Sequence, residues 1–174
     1  VRTVKTRMSY GWDFCPRLVH QGIWRPVHLN LTGPARLQEV HLHSAPVGTD
    51  RSGPWSVTIG ATVDVSAPDS TTIGLAVTVL APDGSDLAAG NAVPVGTDAL
   101  GSPPAGSPGE RVVQLSCELR ITQPQLWWPN GFGGHPIYHA VVEVYVGDRL
   151  SDRRQVPFGL RTLAFRPVQG AATG

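Results

Sequence analysis

The chain is poor in several things that proteins of its size commonly lean on. It has two cysteines, Cys15 and Cys117, far apart in sequence, which permit a single bridge but exclude a disulfide-built framework. Acidic and basic residues nearly cancel, with Lys+Arg at 14 against Asp+Glu at 13. Without a basic run or an acidic tail, phosphate-backbone binding has no electrostatic support, and nucleic acid is excluded as a partner. Long apolar runs are missing and the opening VRTVKTRMS is polar, so no membrane span, signal peptide or lipidation motif is visible. A soluble, cytoplasmic protein is the default expectation. No long segment repeats its apolar residues every 3.6 positions, so very little helix is expected. At 174 residues the chain fits one domain, or one domain with a fragment of another.

What the sequence does have is period two. Val27, Leu29 and Leu31 alternate with His28 and Asn30 between Pro26 and Thr32, and Val40 and Leu42 alternate with His41 and His43. From Trp55 to Val65 every second residue is apolar, and Ile73 to Val79 repeats the pattern before Pro82-Asp83-Gly84, a turn whose glycine accepts positive φ and which predicts a hairpin. Alternation returns over Val113 to Ile121, where Cys117 shares the apolar parity and reads as a small buried hydrophobe, and again over Tyr138 to Val146. Gly147-Asp148 predicts a reversal into Arg149 to Val156, and a last strand is expected over Phe158 to Phe165. The Gly/Pro/Ala/Ser-rich stretch from Val95 to Gly109 reads as a surface loop or insertion. About seven short strands with regular turns predict an all-β fold, an antiparallel immunoglobulin-like β-sandwich, with a strand-loop-strand extension at the N-terminus.

Two aromatic-rich stretches interrupt the alternation. Ser9 to Val27 holds Trp12, Asp13, Arg17, Trp24 and Arg25 between Gly11, Pro16, Gly22 and Pro26, a composition for a shaped loop and not for a helix interior or central strand. Trp12 beside Asp13 puts an apolar plate next to a charged acceptor, the two chemistries that grip a sugar by its C–H face and its hydroxyls. The second stretch is Leu126-Trp127-Trp128-Pro129-Asn130-Gly131-Phe132-Gly133-Gly134. Its proline and glycines predict a sharp turn carrying aromatics. Packing against the sandwich or a neighbouring domain competes there with direct ligand contact, and large aromatics are mostly buried for area. Arg25 and Arg161 read as ion-pair or stacking residues more than as substrate clamps. His41, His43 and His28 on a neighbouring strand form a loose three-histidine set, but such histidines are ordinarily solvated. No metal or cofactor is expected. Asn30-Leu31-Thr32 is a glycosylation sequon of consequence only in a secretory pathway.

GWDFCPRLVHQGIWRPVHL resembles the segment that ends the N-terminal sugar-binding domain of glycoside hydrolase family 2 β-mannosidases. LWWPNGFGGHPIY and FGLRTLAF look like the end of the immunoglobulin-like domain that follows it. The resemblance implies that residues 1–31 are the tail of a jelly-roll domain, 32–167 a seven-stranded sandwich, and 168–174 a linker toward a catalytic barrel. It further implies that Trp12 and Asp13 reach the active site and help form the subsite for the terminal sugar, although Phe14 and Cys15 stand where the family has Trp and Gly. Arg17, Trp24, Arg25, Trp127, Trp128, Asn130 and Arg161 are structural or domain-interface candidates.

Retaining hydrolysis needs two carboxyl groups about 5 Å apart, which in this family are barrel glutamates, the acid/base following an asparagine. Glu39, Glu110, Glu118 and Glu143 all lie in or beside strand patterns and none follows Asn, so no catalysis is expected from this chain alone. Two functions stay open: an accessory region of an exo-acting β-mannosidase or a related β-glucosaminidase or β-galactosidase, and a free-standing carbohydrate- or protein-binding sandwich. If residues 1–31 have lost their own sheet, either disorder or pairing with a second copy or with the sandwich edge is expected.

Overall fold

In the computed structural model, residues 22–23, 25–67, 71–92 and 111–163 are described. The chain divides after Leu31 into two units, Val1–Leu31 and Thr32–Gly174. Most of the first lies outside the described residues, including Trp12, Asp13, Cys15, Arg17 and Trp24, as do the whole Val95–Gly109 stretch and residues 164–174.

The described residues of the second unit form an all-β sandwich of seven strands: β1 (Ala35–Pro46), β2 (Trp55–Val65), β3 (Ile73–Leu80), β4 (Asp86–Ala92), β5 (Arg111–Ile121), β6 (Tyr138–Val146) and β7 (Arg149–Phe158). Every pairing is antiparallel, in one sheet of order β1-β2-β5 and another of order β4-β3-β6-β7. The fourth strand therefore joins the sheet of β3, β6 and β7, where an antibody constant domain places it on the other sheet.

Alternation explains why the sheets face each other. Trp55, Val57, Ile59, Ala61, Val63 and Val65 of β2 are all buried, as are Val113, Leu115, Cys117, Leu119 and Ile121 of β5. They meet Ile73, Leu75, Val77 and Val79 of β3 and Tyr138, Ala140, Val142 and Val144 of β6 in one core. The outer face of the three-stranded sheet is polar, tied by Ser56 donating to Glu118, by Thr62 with Gln114, and by an Arg36–Asp64 ion pair at 2.8 Å. Strand β7 is latched to β1 across the open edge of the sandwich. The buried Ser151 hydroxyl accepts from Ala35 N–H and donates to Ala35 C=O, and the Asp152 carboxylate accepts from Leu37 N–H at 2.7 Å. Arg154 donates to Leu37 C=O. Backbone groups at a sheet edge are thereby satisfied by side chains of the facing sheet.

Three expectations are corrected. The alternating stretch Val27–Leu31 forms no strand; its apolar residues are 78–89% exposed, because alternation makes a strand only where a second ladder is present to pair with it. His28 consequently lies on no strand beside His41 and His43, and among the described residues no three His, Cys, Asp or Glu side chains gather as metal ligands. The last ladder ends at Phe158, paired with Tyr138, and residues 159–163 do not continue it, while Phe165 lies outside the described residues. Beyond it, Gly159 packs against Trp127 and Leu160 makes only an isolated bridge to Leu126.

β4, with the sequence DLAAGNA, has neither alternation nor β-branched residues, and its place is set by the hairpin at Gly84, where φ is +85°. Its small residues are required by what they face. A Cβ at Gly90 would stand 2.6 Å from Leu119 Cδ2 and 3.0 Å from Cys117 Sγ, on backbone that closes the sandwich edge. Gly90→Val is expected to destabilise the fold by about 1–3 kcal/mol through overpacking. A urea midpoint equal to that of the parent chain would refute the contact.

Burial raises the pKa of the Cys117 thiol, and burial raises that of Tyr138 against the opposing effect of Gln125 N–H donating to its oxygen. Both groups are neutral acids whose folded pKa exceeds the unfolded one. Their contribution is thus complete below the unfolded values of about 8.5 and 10 and is lost as pH rises through them. Stability is expected to hold from pH 7 to about 8.5 and to fall by pH 10.5. Denaturation midpoints across that range check it, and a midpoint rising with pH would contradict it.

Candidate functional site

At one end of the sandwich, where β1, β3, β5 and β7 finish and β2, β4 and β6 begin, three segments surround a cavity of about 200 Å³. Its walls are Leu126, Trp127, Trp128 and Pro129 from the β5–β6 connection, Arg161, Thr162 and Leu163 after β7, Arg51 from the β1–β2 loop and Trp55 at the start of β2. A more open hollow of about 290 Å³ adjoins it, bordered by Trp127, Ile137, Gly159 and Arg161.

Each wall is held by identifiable bonds. In the β1–β2 loop, Asp50 accepts from both the hydroxyl and the N–H of Ser52, at 2.7 and 2.9 Å. These bonds hold its carboxyl below the usual aspartate range and fix the turn that presents Arg51. Trp55 Nε1 donates to Arg51 C=O at 3.0 Å, so the buried indole keeps its polar atom satisfied. In the β5–β6 connection, Trp127 N–H donates to Leu160 C=O at 2.9 Å and Trp128 N–H to Gly134 C=O at 2.9 Å.

Phe132 N–H closes onto Pro129 C=O at 3.0 Å, with Gly131 at φ +83°, the value that the third residue of a type II turn demands. Gly133 at φ +154° passes so close to Trp128 that a Cβ there would lie 2.7 Å from the indole Cδ1. The two glycines fold the loop back on its own tryptophan.

Of the residues singled out in sequence, Trp127, Trp128 and Arg161 are brought together. Trp127 is half-buried, with the Arg161 guanidinium 5.1 Å from its ring centroid and His135 edge-on at 5.7 Å. Trp128 is 46% exposed. Asn130 lies in the exposed turn and lines neither hollow, and Arg25 is exposed in the first unit. Arg51, Thr162 and Leu163 were not singled out as site residues, although Thr162 and Leu163 lie within the FGLRTLAF stretch. Trp55 was anticipated only as a core residue.

The described glutamates are not an acid/base pair. Glu39 pairs with His41 at 3.0 Å, and Glu118 accepts from Ser56; β2 and four residues of register separate the two. Glu143 sits on the other sheet, beside Tyr145 and Arg153. No two of these carboxyls approach the spacing that glycoside hydrolysis needs.

The described residues thus form an immunoglobulin-like sandwich with a tryptophan-rich loop at one end. The Glycosyl hydrolases family 2 model matches residues 40–161, more than half of the chain, and the chain belongs to that family. It is 26% identical over 174 residues to a β-mannosidase of Rattus norvegicus, an alignment covering 96% of this chain and 18% of that protein. It is 28% identical over 154 residues to an exo-β-D-glucosaminidase of Hypocrea virens, covering 86% and 16%. A solved β-D-mannosidase from Dictyoglomus thermophilum superposes with a TM-score of 0.56 at 25% identity, covering 90% of this chain and 17% of that one. The chain thus spans less than a fifth of the length of these relatives.

Proposed function

We propose that this chain is the accessory region of a retaining exo-β-mannosidase that removes terminal β-mannose, with the catalytic glutamates on a barrel elsewhere in the same polypeptide. The observation that carries the reading is the alignment with β-mannosidases along nearly the whole chain, first unit included. In this reading the sandwich is a rigid spacer, and its carbohydrate contact comes from the loop of the first unit, where Trp12 walls the terminal-sugar subsite and Asp13 accepts from sugar hydroxyls. The carboxyl arrangement of the sandwich favours it over a self-contained hydrolase. A second reading, a β-glucosaminidase of the same family, is favoured by the similarity to the Hypocrea virens protein.

Assays of the full-length polypeptide on aryl β-mannoside, β-glucosaminide and β-galactoside separate these. The mannoside is expected to have the highest kcat/KM by at least about tenfold, a modest transition-state discrimination, while the isolated 174-residue chain turns over none of the three. Preference for the glucosaminide would replace the first reading with the second. Turnover by the isolated chain would remove both.

A further inference from the structure

The two sheets present different outer faces. On the three-stranded sheet many polar side chains are engaged with one another, Ser56 with Glu118, Thr62 with Gln114, Arg36 with Asp64 and Glu39 with His41, and no aromatic residue stands among them. On the four-stranded sheet the outward residues of β3 are Gly74, Ala76 and Thr78, and Tyr145 and Glu143 of β6 lie opposite Gly74 and Ala76 in register. Short side chains therefore adjoin long ones, and the face has a step along it. A Cβ at Gly74 meets no described atom within 4 Å, so the floor of the step is open on the described surface.

The wall of the step is held in place. Tyr145 Oη donates to Glu143 Oε2 at 3.1 Å, which lays the ring along its own strand beside Gly74 and Ala76. The other carboxylate oxygen, Oε1, lies 3.6 Å from Arg153 Nε on β7. Both partners still face water, the side chain of Glu143 being 24% exposed and that of Arg153 59%. Its bond to the carboxylate raises the pKa of Tyr145, so the hydroxyl stays a donor while the carboxylate keeps lone pairs for further donors.

From this arrangement we infer that the step binds an oligosaccharide without acidic groups, with a pyranose ring over Gly74 and Ala76, its C–H groups against the Tyr145 ring, and its hydroxyls bonded to Glu143 and Arg153. The composition selects this occupant. Cores of protein interfaces are rich in large side chains and poor in alanine and glutamate, whereas this floor is glycine, alanine and threonine beside a carboxylate. A phosphate or a uronic acid would meet the Glu143 charge. A sugar asks for an apolar plate next to a fixed acceptor and a fixed donor, which Tyr145, Glu143 and Arg153 supply. Only the choice of sugar rests on the substrate reading above.

The test is an NMR titration of the 174-residue chain with β-1,4-mannohexaose and, for the second reading above, with a β-1,4-linked glucosamine hexamer. Binding is expected with a dissociation constant of about 1 mM, as for an open site that orders few groups. The shifted amides are expected to be those of Gly74, Ala76 and Tyr145. Tyr145→Ala is expected to weaken binding about three- to tenfold, the worth of one aromatic contact. Gly74→Gln leaves the wall intact and covers the floor. Gly74 is not among the glycines with positive φ and its Cβ would enter open space, so the urea midpoint is expected not to fall while binding weakens about tenfold or more. Arg120→Ala, on the outer face of the other sheet, is expected to change neither.

Binding of the glucosamine hexamer alone, lost in the same variants, would support the seat and change its sugar. Absence of shifts with either sugar up to about 10 mM, or binding that survives both Tyr145→Ala and Gly74→Gln, would overturn the inference. A dimer that Gly74→Gln dissolves would overturn it too, by giving the face to a second copy. None of these readouts uses hydrolysis, so the substrate proposal can fail while this one stands, and the reverse.

Discussion

Truncating Trp55 to alanine is expected to remove about 3–5 kcal/mol from the sandwich, the range for loss of a buried aromatic. Trp55 is only 1% exposed, opens β2, faces Ile121 and Pro46 in register, and bonds its indole N–H to Arg51. The deleted side chain leaves a void continuous with the cavity already present, which the surrounding strands cannot close because they are held by ladders on both sides of β2. Against a total stability of about 5–15 kcal/mol, such a loss is a large fraction of the whole. Trp55→Phe keeps most of the volume and loses the indole hydrogen bond, and is expected to cost about 1–2 kcal/mol. Urea titration of both variants measures the difference. A Trp55→Ala cost under about 1 kcal/mol would mean that the indole is not the core element its burial indicates.

The largest expected effect on activity belongs to Asp13 in the full-length polypeptide. A carboxylate that accepts from two sugar hydroxyls loses about 1.5–3 kcal/mol for each bond when removed, and the subsite water that replaces it restores little of the orientation. Asp13→Ala is therefore expected to lower kcat/KM on an aryl β-mannoside by about 10²–10⁴-fold. Its thermal midpoint is expected to stay near that of the parent. A loss of less than about tenfold would take the role in the subsite away from Asp13.

The fold was readable where one face of a strand is core and the other wet. Trp55–Val65 and Tyr138–Val146 form strands over the spans their alternation marks, because a one-residue slip would put every apolar side chain into water. Cys117 is buried on the parity that predicted it. Alternation alone misled at Val27–Leu31, where the pattern is present and no ladder accompanies it, and the expected last strand stops pairing at Phe158, where Gly159 meets Trp127.

β4 was legible only as the second arm of the hairpin that Pro82-Asp83-Gly84 predicts, since its own letters do not mark a strand and Gly90 answers to Leu119 and Cys117 on the facing sheet. The candidate site divides in the same way. Trp127, Trp128 and Arg161 stood out by residue type, whereas Arg51 reaches the cavity through a turn that local sequence does not mark. The Trp12-Asp13 pair was legible only through its resemblance to β-mannosidases and lies outside the described residues.

The central claim is that one part of this chain reaches a sugar held by another part of the same protein. Its most direct test is a crystal structure of the full-length polypeptide with a non-hydrolysable terminal β-mannoside bound. The account predicts an Asp13 carboxylate oxygen within about 3.2 Å of a hydroxyl of the terminal sugar, with the Trp12 indole against the same ring. Trp12 and Asp13 turned away from the bound sugar, or packed inside their own domain, would contradict it.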